Sequence, residues 1–182
     1  ITPKTKGVVI INPNNPTGYL YSQAELEALG KMIKKHNLYL YSDEVYRRYC
    51  YDGLKHFSVM NLKGIEENTI LFDSMSKRYS ECGIRVGAII SRNKEILNTS
   101  LKFGMARLCP PALGQIAAEA SLETSDEYFH NVYEEYIRRR DFMVKALNKM
   151  PGVVCPTPQG AFYSIVKLPV DDSEKLSLQP KV

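Results

Sequence analysis

Residues 7–20 read GVVIINPNNPTGYL, an apolar, β-branched run that stops at a cluster of asparagine and proline residues. A short apolar run of this kind is typical of a buried strand, which we place over residues 6–12. Pro13 and Pro16 restrict the backbone of the following loop, while Gly18 allows the chain to turn towards the next element. The stretch therefore predicts a buried strand that ends in a stiff, polar loop.

A helix and two further strands follow this loop. Ser22 and Glu25 form a capping-box pattern at the start of a segment whose apolar residues recur with a period of 3.6, as in a helix. Residues 38–46, LYLYSDEVY, then read as a second strand, and residues 68–76, NTILFDSMS, as a third. Strand, helix and strand at this spacing form a βαβ unit, so we expect the first two strands to be parallel, with a right-handed crossover.

The next strand is expected to run in the opposite direction. Residues 86–91, VGAIIS, follow Lys77 too closely to leave room for another crossover helix. A short connection of this kind favours antiparallel pairing. The chain as a whole is thus predicted to have an α/β fold, with a mainly parallel sheet and flanking helices.

Helices are predicted for the part of the chain that follows. Residues 93–108 and residues 112–122 each have helical character and are separated by Cys109-Pro110-Pro111. Thr124 and Glu127 have the spacing of a second capping box. We expect a long helix to begin there.

This long helix marks a predicted change of domain. It ends near Pro151-Gly152, and the Pro, Gly and β-branched content beyond it indicates a new, β-containing module. We therefore divide the chain into residues 1–125, the main α/β portion, and residues 126–182, a connecting helix with the start of a smaller domain. The apolar stripe of the long helix is interpreted as a core or inter-domain face; it comprises Phe129, Val132, Tyr133, Tyr136, Ile137, Met143, Val144 and Leu147.

Composition excludes several classes of protein. Of the 182 residues, 44% are hydrophobic and 24% charged, which is the profile of a globular chain rather than a disordered one. The net charge of +4 comes from scattered basic residues, so nucleic acid is not an expected partner. The four cysteines form no C-x-x-C pair, so we predict no metal site and expect reduced thiols in the cytoplasm. No apolar run is long enough for a membrane span, and no membrane partner is expected.

Polar side chains follow three successive predicted strands. In open α/β sheets, ligands bind outside the carboxyl ends of the parallel strands, so these side chains are expected to meet at one edge. An amide, a carboxylate, a phenol, a hydroxyl, an amine and a guanidinium would gather there, and together they indicate a polar anion-binding site. The residues are Asn15, Asp43, Tyr46, Ser74, Lys77 and Arg85.

The order of these motifs carries a family resemblance. The chain contains, in this order, the motifs N-P-x-N-P-T-G, D-E-x-Y, S-x-S-K and G-x-R-x-G. This order resembles the fold-type I enzymes that use pyridoxal 5′-phosphate (PLP). Within them it is most similar to the class I aminotransferases, the aspartate aminotransferase group in particular. The resemblance implies part of the large PLP-binding domain followed by the start of a smaller α+β domain. It also implies a central or C-terminal fragment of a homodimeric enzyme that moves an amino group between an amino acid and a 2-oxo acid, with aspartate and 2-oxoglutarate as the pair.

The resemblance assigns catalysis to three residues. Lys77 would form a Schiff base with the PLP aldehyde and, once displaced by substrate, move a proton between the substrate Cα and the cofactor. Asp43 would keep the pyridine nitrogen protonated, so that the ring withdraws electrons from the substrate. Tyr46 would hydrogen-bond the phenolate oxygen of the cofactor.

The remaining residues would hold the cofactor. Asn15 would share the phenolate oxygen with Tyr46, and the resemblance implies a cis peptide bond between Asn15 and Pro16. Ser74 and Arg85 would bind the phosphate, Arg85 through the two-pronged contact that a guanidinium makes.

Other interpretations remain open from the residues alone. Each motif taken singly fits a turn or a solvated strand end, and His36, His56 and His130 fit surface or helix-end positions. The glycine-containing phosphate loop of the family, and the arginine that grips the substrate carboxylate, have no counterpart in this chain. The alternative functions are a non-catalytic fragment that folds and binds PLP, and a related PLP enzyme such as a carbon–sulfur lyase or a decarboxylase.

Overall fold

The structure, a computed structural model, describes residues 1–178. Over these residues a single sheet runs in the order β1-β2-β3-β4. The first three strands are parallel, and the fourth is antiparallel to the third, which confirms the predicted mainly parallel sheet. The strands are β1 (Gly7–Ile11), β2 (Tyr39–Asp43), β3 (Thr69–Ser74) and β4 (Gly87–Ser91).

The helices lie between and after the strands. α1 connects β1 to β2, α2 is a single turn directly after β3, and the others follow β4. In the same part of the chain they are α1 (Gln23–His36), α2 (Met75–Arg78), α3 (Lys94–Ala106), α4 (Ala112–Ala120), α5 (Asp126–Leu147) and α6 (Ser173–Leu178).

The predicted start of α1 is confirmed. Ser22 Oγ accepts a hydrogen bond from the Glu25 N–H at 3.3 Å, and the Glu25 carboxylate accepts one from the Ser22 N–H at 2.8 Å. These two bonds satisfy backbone donors that have no partner inside the helix. At the other end Asn37 adopts the left-handed conformation, with φ of 48°, and its N–H bonds back to the last turn.

The predicted start of α5 is wrong by one residue. Ser125, not Thr124, is the N-cap, and its Oγ accepts a hydrogen bond from the Tyr128 N–H. Thr124 belongs to the preceding turn, in which its N–H donates to the Ser121 carbonyl. The third helical position is therefore occupied by Tyr128, whose side chain has no carboxylate to return the bond, and no capping box forms.

The core consists of two clusters of buried residues. The first joins α1 to one face of β1 and β2 and contains Ile10, Leu26, Ile33, Leu38, Leu40, Val59, Leu62 and Ile65. The second contains Tyr46, Tyr49, Tyr51 and Ala161, with Val132, Tyr133, Tyr136 and Ile137 of α5 packed against it. The aromatic stripe of α5 is thus a packing face, as expected.

The segment after α5 returns to the main α/β portion. Gly18 has a φ of 71°, and its carbonyl accepts hydrogen bonds from the N–H groups of Gln159 and Gly160, each at 2.9 Å. Gly160 also forms an isolated bridge with Cys50. The first loop is therefore fastened to this late segment. The division into residues 1–125 and 126–182 stays a prediction.

Arg140 fastens α5 to the same region. It is the buried residue of α5, and its guanidinium makes two hydrogen bonds of 2.8 Å to the Asp52 carboxylate. It also lies 4.9 Å from the centre of the Tyr51 ring and donates to the Pro158 carbonyl. A charge buried to this degree is tolerated because its donors are paired.

Several large apolar side chains remain exposed. On β1, Val9 is 72% exposed, since α1 covers the opposite face of the sheet. On and around α3 and α4, Phe103, Leu108 and Leu113 are 75%, 81% and 82% exposed. Among the described helices, none has both the length and the hydrophobicity that crossing a membrane requires.

Candidate active site

The predicted site residues line one cavity at the carboxyl ends of the parallel strands. Its volume is about 240 Å³, and it contains all six side chains that the sequence singled out. The parallel register explains this, because Ile11 pairs with Asp43 and Asp43 with Phe72, so the three strands end at the same level. The lining residues are Ile11, Asn15, Asp43, Val45, Tyr46, Ser74, Ser76, Lys77 and Arg85.

A chain of hydrogen bonds orients the phenol of Tyr46. Asn15 Nδ2 donates to Tyr46 Oη at 3.4 Å, and Tyr46 Oη lies 2.9 Å from Tyr163 Oη. Burial, followed by the contact with Tyr163, raises the pKa of Tyr46 well above its usual range, so the phenol keeps its proton. The peptide bond before Pro16 is cis, as expected, and so is the one before Pro13.

Asp43 presents its carboxylate from the last position of β2. Its Oδ1 accepts a hydrogen bond of 3.1 Å from the Val45 N–H, which turns the chain after the strand. Within the described residues no other hydrogen bond reaches this carboxylate. One oxygen is therefore free to accept a bond from a ligand in the cavity.

Lys77 lies in the single turn α2. Ser74, at the end of β3, caps this turn by accepting a hydrogen bond from the Ser76 N–H at 3.1 Å. The Tyr49 hydroxyl donates to the Lys77 carbonyl at 2.6 Å and fixes the backbone at this point. Lys77 Nζ is 5.9 Å from the centre of the Phe162 ring. The amine is thus half-buried against an aromatic wall.

Arg85 approaches the cavity from the turn before β4. It is exposed and adopts the left-handed backbone conformation, with φ of 58°. One guanidinium nitrogen, Nη1, donates to the Cys82 carbonyl at 2.9 Å. This bond ties down one side of the planar group and leaves the other donors for an anion.

Sequence reasoning missed the ion pairs behind this site. The Asp73 carboxylate accepts hydrogen bonds from Arg47 at 2.6 Å and from Arg78 at 3.1 Å. Arg47 follows Tyr46 and Arg78 follows Lys77, so Asp73 links the two segments that carry these residues. The basic residues that follow Tyr46 and Lys77 were the sequence signal for an ion pair near the site. Their spacing does not indicate that Asp73 is the partner of both.

Two further residues were missed or misplaced. Tyr163 belongs to the predicted second domain, yet its hydroxyl contacts Tyr46. His56 does not lie on the surface as expected: its side chain is only 9% exposed, and Nε2 lies 3.5 Å from Oε2 of the fully buried Glu44. The burial of His56 beside Glu44 depends on tertiary packing, which the local sequence does not reveal.

The donor set matches the chemistry of PLP. An amine can bind an aldehyde, a carboxylate can hold a protonated ring nitrogen, and a phenol with an amide can hydrogen-bond a phenolate oxygen. A serine hydroxyl and a guanidinium suit a phosphate group. The residues around the cavity therefore fit this cofactor. Metal ligation is a poorer match, because residues 1–178 contain no cluster of His, Cys, Asp or Glu that could hold an ion.

Known proteins agree with this match. The family model described as aminotransferase class I and II matches residues 1–179. Aspartate aminotransferase from Pyrococcus abyssi is 37% identical over 166 residues, and aromatic-amino-acid aminotransferase 2 from Thermococcus litoralis is 36% identical over 166 residues. Each of these alignments covers 90% of this chain and 42% of the relative.

A solved structure gives the same result. Alanine aminotransferase from Pyrococcus furiosus superposes with a TM-score of 0.83 at 32% identity, covering 94% of this chain and 44% of that structure. The chain thus spans less than half the length of the proteins that it matches. Its sheet and helices are part of the large domain of the fold-type I PLP enzymes. On the family model, the relatives and the fold together, the chain belongs to the class I and II aminotransferases, a PLP-dependent family.

Proposed function

We propose that this chain carries the cofactor half of an aminotransferase site, which moves an amino group between an amino acid and a 2-oxo acid with PLP as cofactor. The observation that carries the proposal is that the Lys77 amine and the Asp43 carboxylate line the same cavity, together with the other four residues expected from the resemblance. Bound PLP would supply an electron-withdrawing ring that stabilises negative charge at the substrate Cα.

Lys77 and Asp43 would do the proton chemistry. Lys77 Nζ would hold the cofactor through its aldehyde and would serve as the base that accepts the proton from the substrate Cα. The position of Lys77 on a capped turn limits the motion of this amine to its side chain. Asp43 would accept a hydrogen bond from a protonated ring nitrogen and so favour the proton there.

Tyr46 and Asn15 would orient the ring. Because Tyr46 keeps its proton, it can donate to the phenolate oxygen of the cofactor, while Asn15 supplies an amide N–H beside it. Tyr163 contacts Tyr46 on the other side and limits rotation of the phenol. Ser74 and Arg85 would bind the phosphate, with the guanidinium presenting the edge that is not bonded to Cys82.

Aspartate with 2-oxoglutarate is the proposed substrate pair. It rests on the motif resemblance to the aspartate aminotransferase group, while the relatives carry the names of aspartate, aromatic and alanine aminotransferases. A panel of aspartate, phenylalanine and alanine as amino donors tests it. Faster transfer from phenylalanine or alanine than from aspartate would reject the pair and keep the reaction class.

We also propose that the chain acts as part of a homodimer in the cytoplasm. The large apolar side chains that stay exposed around α3 and α4 favour association, because burying them against a second copy would remove apolar surface from water. Sedimentation equilibrium measures the mass directly, and a chain that stays monomeric at high concentration with PLP bound would contradict the proposal.

The experiment that tests the function begins with the cofactor. The chain is mixed with PLP and reduced with borohydride, and the pyridoxyl adduct is located by peptide mass spectrometry. We expect a stoichiometric label on Lys77, loss of that label in Lys77→Ala, and weak labelling in Asp43→Asn, which keeps the size of the side chain but removes its charge. Labels scattered over several lysines would show that the cavity is not a PLP site.

Turnover then separates the alternatives. Amino-group transfer from aspartate to 2-oxoglutarate that disappears in Lys77→Ala supports an aminotransferase. Labelling of Lys77 without turnover identifies a non-catalytic PLP-binding fragment. Release of a thiol or of carbon dioxide, measured by product analysis, identifies a carbon–sulfur lyase or a decarboxylase instead.

A further inference from the structure

A buried polar pair lies directly behind the strand end that carries Asp43. Glu44 is fully buried, and Oε1 of its carboxyl group accepts hydrogen bonds from the Val59 N–H at 2.9 Å and from the Ser42 hydroxyl at 3.3 Å. Its other oxygen, Oε2, has no hydrogen-bond partner among the described residues. The same is true of His56 Nε2, which lies 3.5 Å away. Two orphaned buried atoms therefore face each other.

The chemistry of the two atoms limits what can lie between them. The backbone of Asn12 favours the protonated imidazole, and a hydrogen carried on Nδ1 leaves the unpaired Nε2 to face Glu44. With a hydrogen on Nδ1, neutral His56 presents a lone pair at Nε2. An ionised Glu44 would place a second acceptor against it, and two acceptors in a buried site repel each other. A single proton between them satisfies both atoms.

We propose that Glu44 holds this proton at neutral pH and donates it from Oε2 in a hydrogen bond to Nε2 of His56, leaving Asp43 as the carboxylate that acts in the cavity. Burial favours the neutral form of both groups, since it raises the pKa of Glu44 and lowers that of His56 to about 4. The charged group beside both is Arg47, and the thiol of Cys50 lies near the backbone N–H of His56, not near its ring.

The pair positions the site rather than touching the substrate. Glu44 Oε1 holds the Val59 N–H, and its own N–H donates to the Phe72 carbonyl of β3, so the residue after Asp43 is anchored on both its side chain and its backbone. A neutral anchor does this without adding a second negative charge beside Asp43. This role in positioning Asp43 rests on the proposed function, whereas the location of the proton does not.

The location of the proton is tested without cofactor. NMR spectra of the chain labelled with ¹⁵N-histidine and ¹³C-glutamate are recorded at neutral pH, and the signals are assigned by their absence in His56→Gln and Glu44→Gln. We expect a neutral His56 with hydrogen on Nδ1, and a Glu44 carboxyl carbon in the protonated range. An imidazolium at His56, or an ionised Glu44 carboxylate, overturns the proposal.

The positioning role is tested by a conservative and a disruptive variant. In Glu44→Gln the amide can donate to His56 and its carbonyl can accept from Val59, so we expect the dissociation constant for PLP to stay within about twofold of wild type. Glu44→Leu removes both bonds, and we expect binding about tenfold weaker or worse. If Glu44→Gln binds PLP as weakly as Glu44→Leu does, a neutral hydrogen-bond donor does not restore binding, and the proposed positioning role of Glu44 is rejected. His56 remaining neutral in Glu44→Gln, seen by NMR, is a check that does not depend on PLP binding.

Discussion

At the scale of single residues, neighbouring carboxyl groups in this molecule have different surroundings. Asp43 faces the cavity and keeps one oxygen without a hydrogen bond, whereas Glu44 is fully buried beside His56. Because side chains alternate between the two faces at a strand end, two adjacent acids can be sent to opposite sides of the sheet. In the proposed function, these different surroundings would let Asp43 act on the cofactor while Glu44 supports the fold.

The pH dependence of stability reports this difference. Glu44 has a raised pKa in the folded state, so its contribution is present below about pH 4.5 and is lost as the pH rises above it. His56, whose pKa is lowered to about 4, contributes stability that is lost as the pH falls from 6.5 towards 4. The two slopes oppose each other in the wild type.

Glu44→Gln removes the first contribution and leaves the second. We compare the free energy of unfolding of Glu44→Gln with that of the wild type at each pH. Above about pH 4.5 we expect the difference, variant minus wild type, to increase with a slope approaching about 1.4 kcal/mol per pH unit. Urea unfolding at a series of pH values measures it. Parallel curves for the two proteins would mean that Glu44 ionises equally well in the folded chain.

At the scale of secondary-structure elements, the beginnings of α1 and α5 differ although both helices are capped by serine. Ser22 exchanges two hydrogen bonds with Glu25, whereas Ser125 makes one bond, to the Tyr128 N–H. The reciprocal arrangement satisfies one more backbone donor, and α1 also packs on the sheet through Leu26 and Ile33.

Removing each cap should therefore have unequal effects. We expect Ser22→Ala to lower the free energy of unfolding by about 1 kcal/mol or more, since loss of an N-cap typically costs 0.5–2 kcal/mol. Ser125→Ala, the matched control on an exposed helix start, is expected to cost less. Urea unfolding of both variants gives the comparison, and equal losses would show that the Glu25 contact adds nothing.

Elements whose cause is local were predictable from sequence. The capping box of α1 lies within four residues, and the antiparallel direction of β4 follows from the short connection after Lys77. The α5 start was misjudged because Thr124 and Ser125 are both residue types that favour the N-cap position, and the sequence pattern does not decide between neighbours.

The site residues that lie at or just after the ends of strands were predictable from the sequence. Asp43 ends a strand, Asn15 and Lys77 follow shortly after one, and parallel strands bring their ends together. Tyr163 and His56 could not be predicted in this way, because their neighbours are set by tertiary packing: Tyr163 meets Tyr46 across 117 residues of chain. The pairing of Asp73 with two arginines depends on packing in the same manner.

At the scale of the whole molecule, the first loop and the segment after α5 are in close contact. Gly18 and Gly53 both have positive φ, 71° and 75°, but only Gly18 is crowded. A Cβ at Gly18 would lie 2.4 Å from Pro158 Cβ, while a Cβ at Gly53 would meet open space. An alanine at Gly53 would therefore suffer only from the unfavourable backbone conformation, whereas an alanine at Gly18 would also clash with Pro158.

Alanine at these two positions tests this difference. Gly53→Ala is expected to lower the free energy of unfolding by about 1 kcal/mol, the cost of a left-handed alanine. Gly18→Ala is expected to cost about 1–3 kcal/mol more, because the Pro158 ring cannot move aside without shifting the segment. Thermal and urea unfolding measure both. Equal losses of unfolding free energy in the two variants would mean that the segment around Pro158 shifts at no measurable cost.

The antiparallel pairing of β4 with β3 also bears on how the molecule folds. Ser74 pairs with Gly87, so residues 75–86, including Lys77 and Arg85, form a loop closed by neighbouring strands. Closing a short loop costs little chain entropy, and contacts of low sequence separation form quickly. The contact between Tyr46 and Tyr163 requires a far longer closure. We therefore expect the segment that carries Lys77 and Arg85 to form its contacts earlier in folding than the contact between Tyr46 and Tyr163.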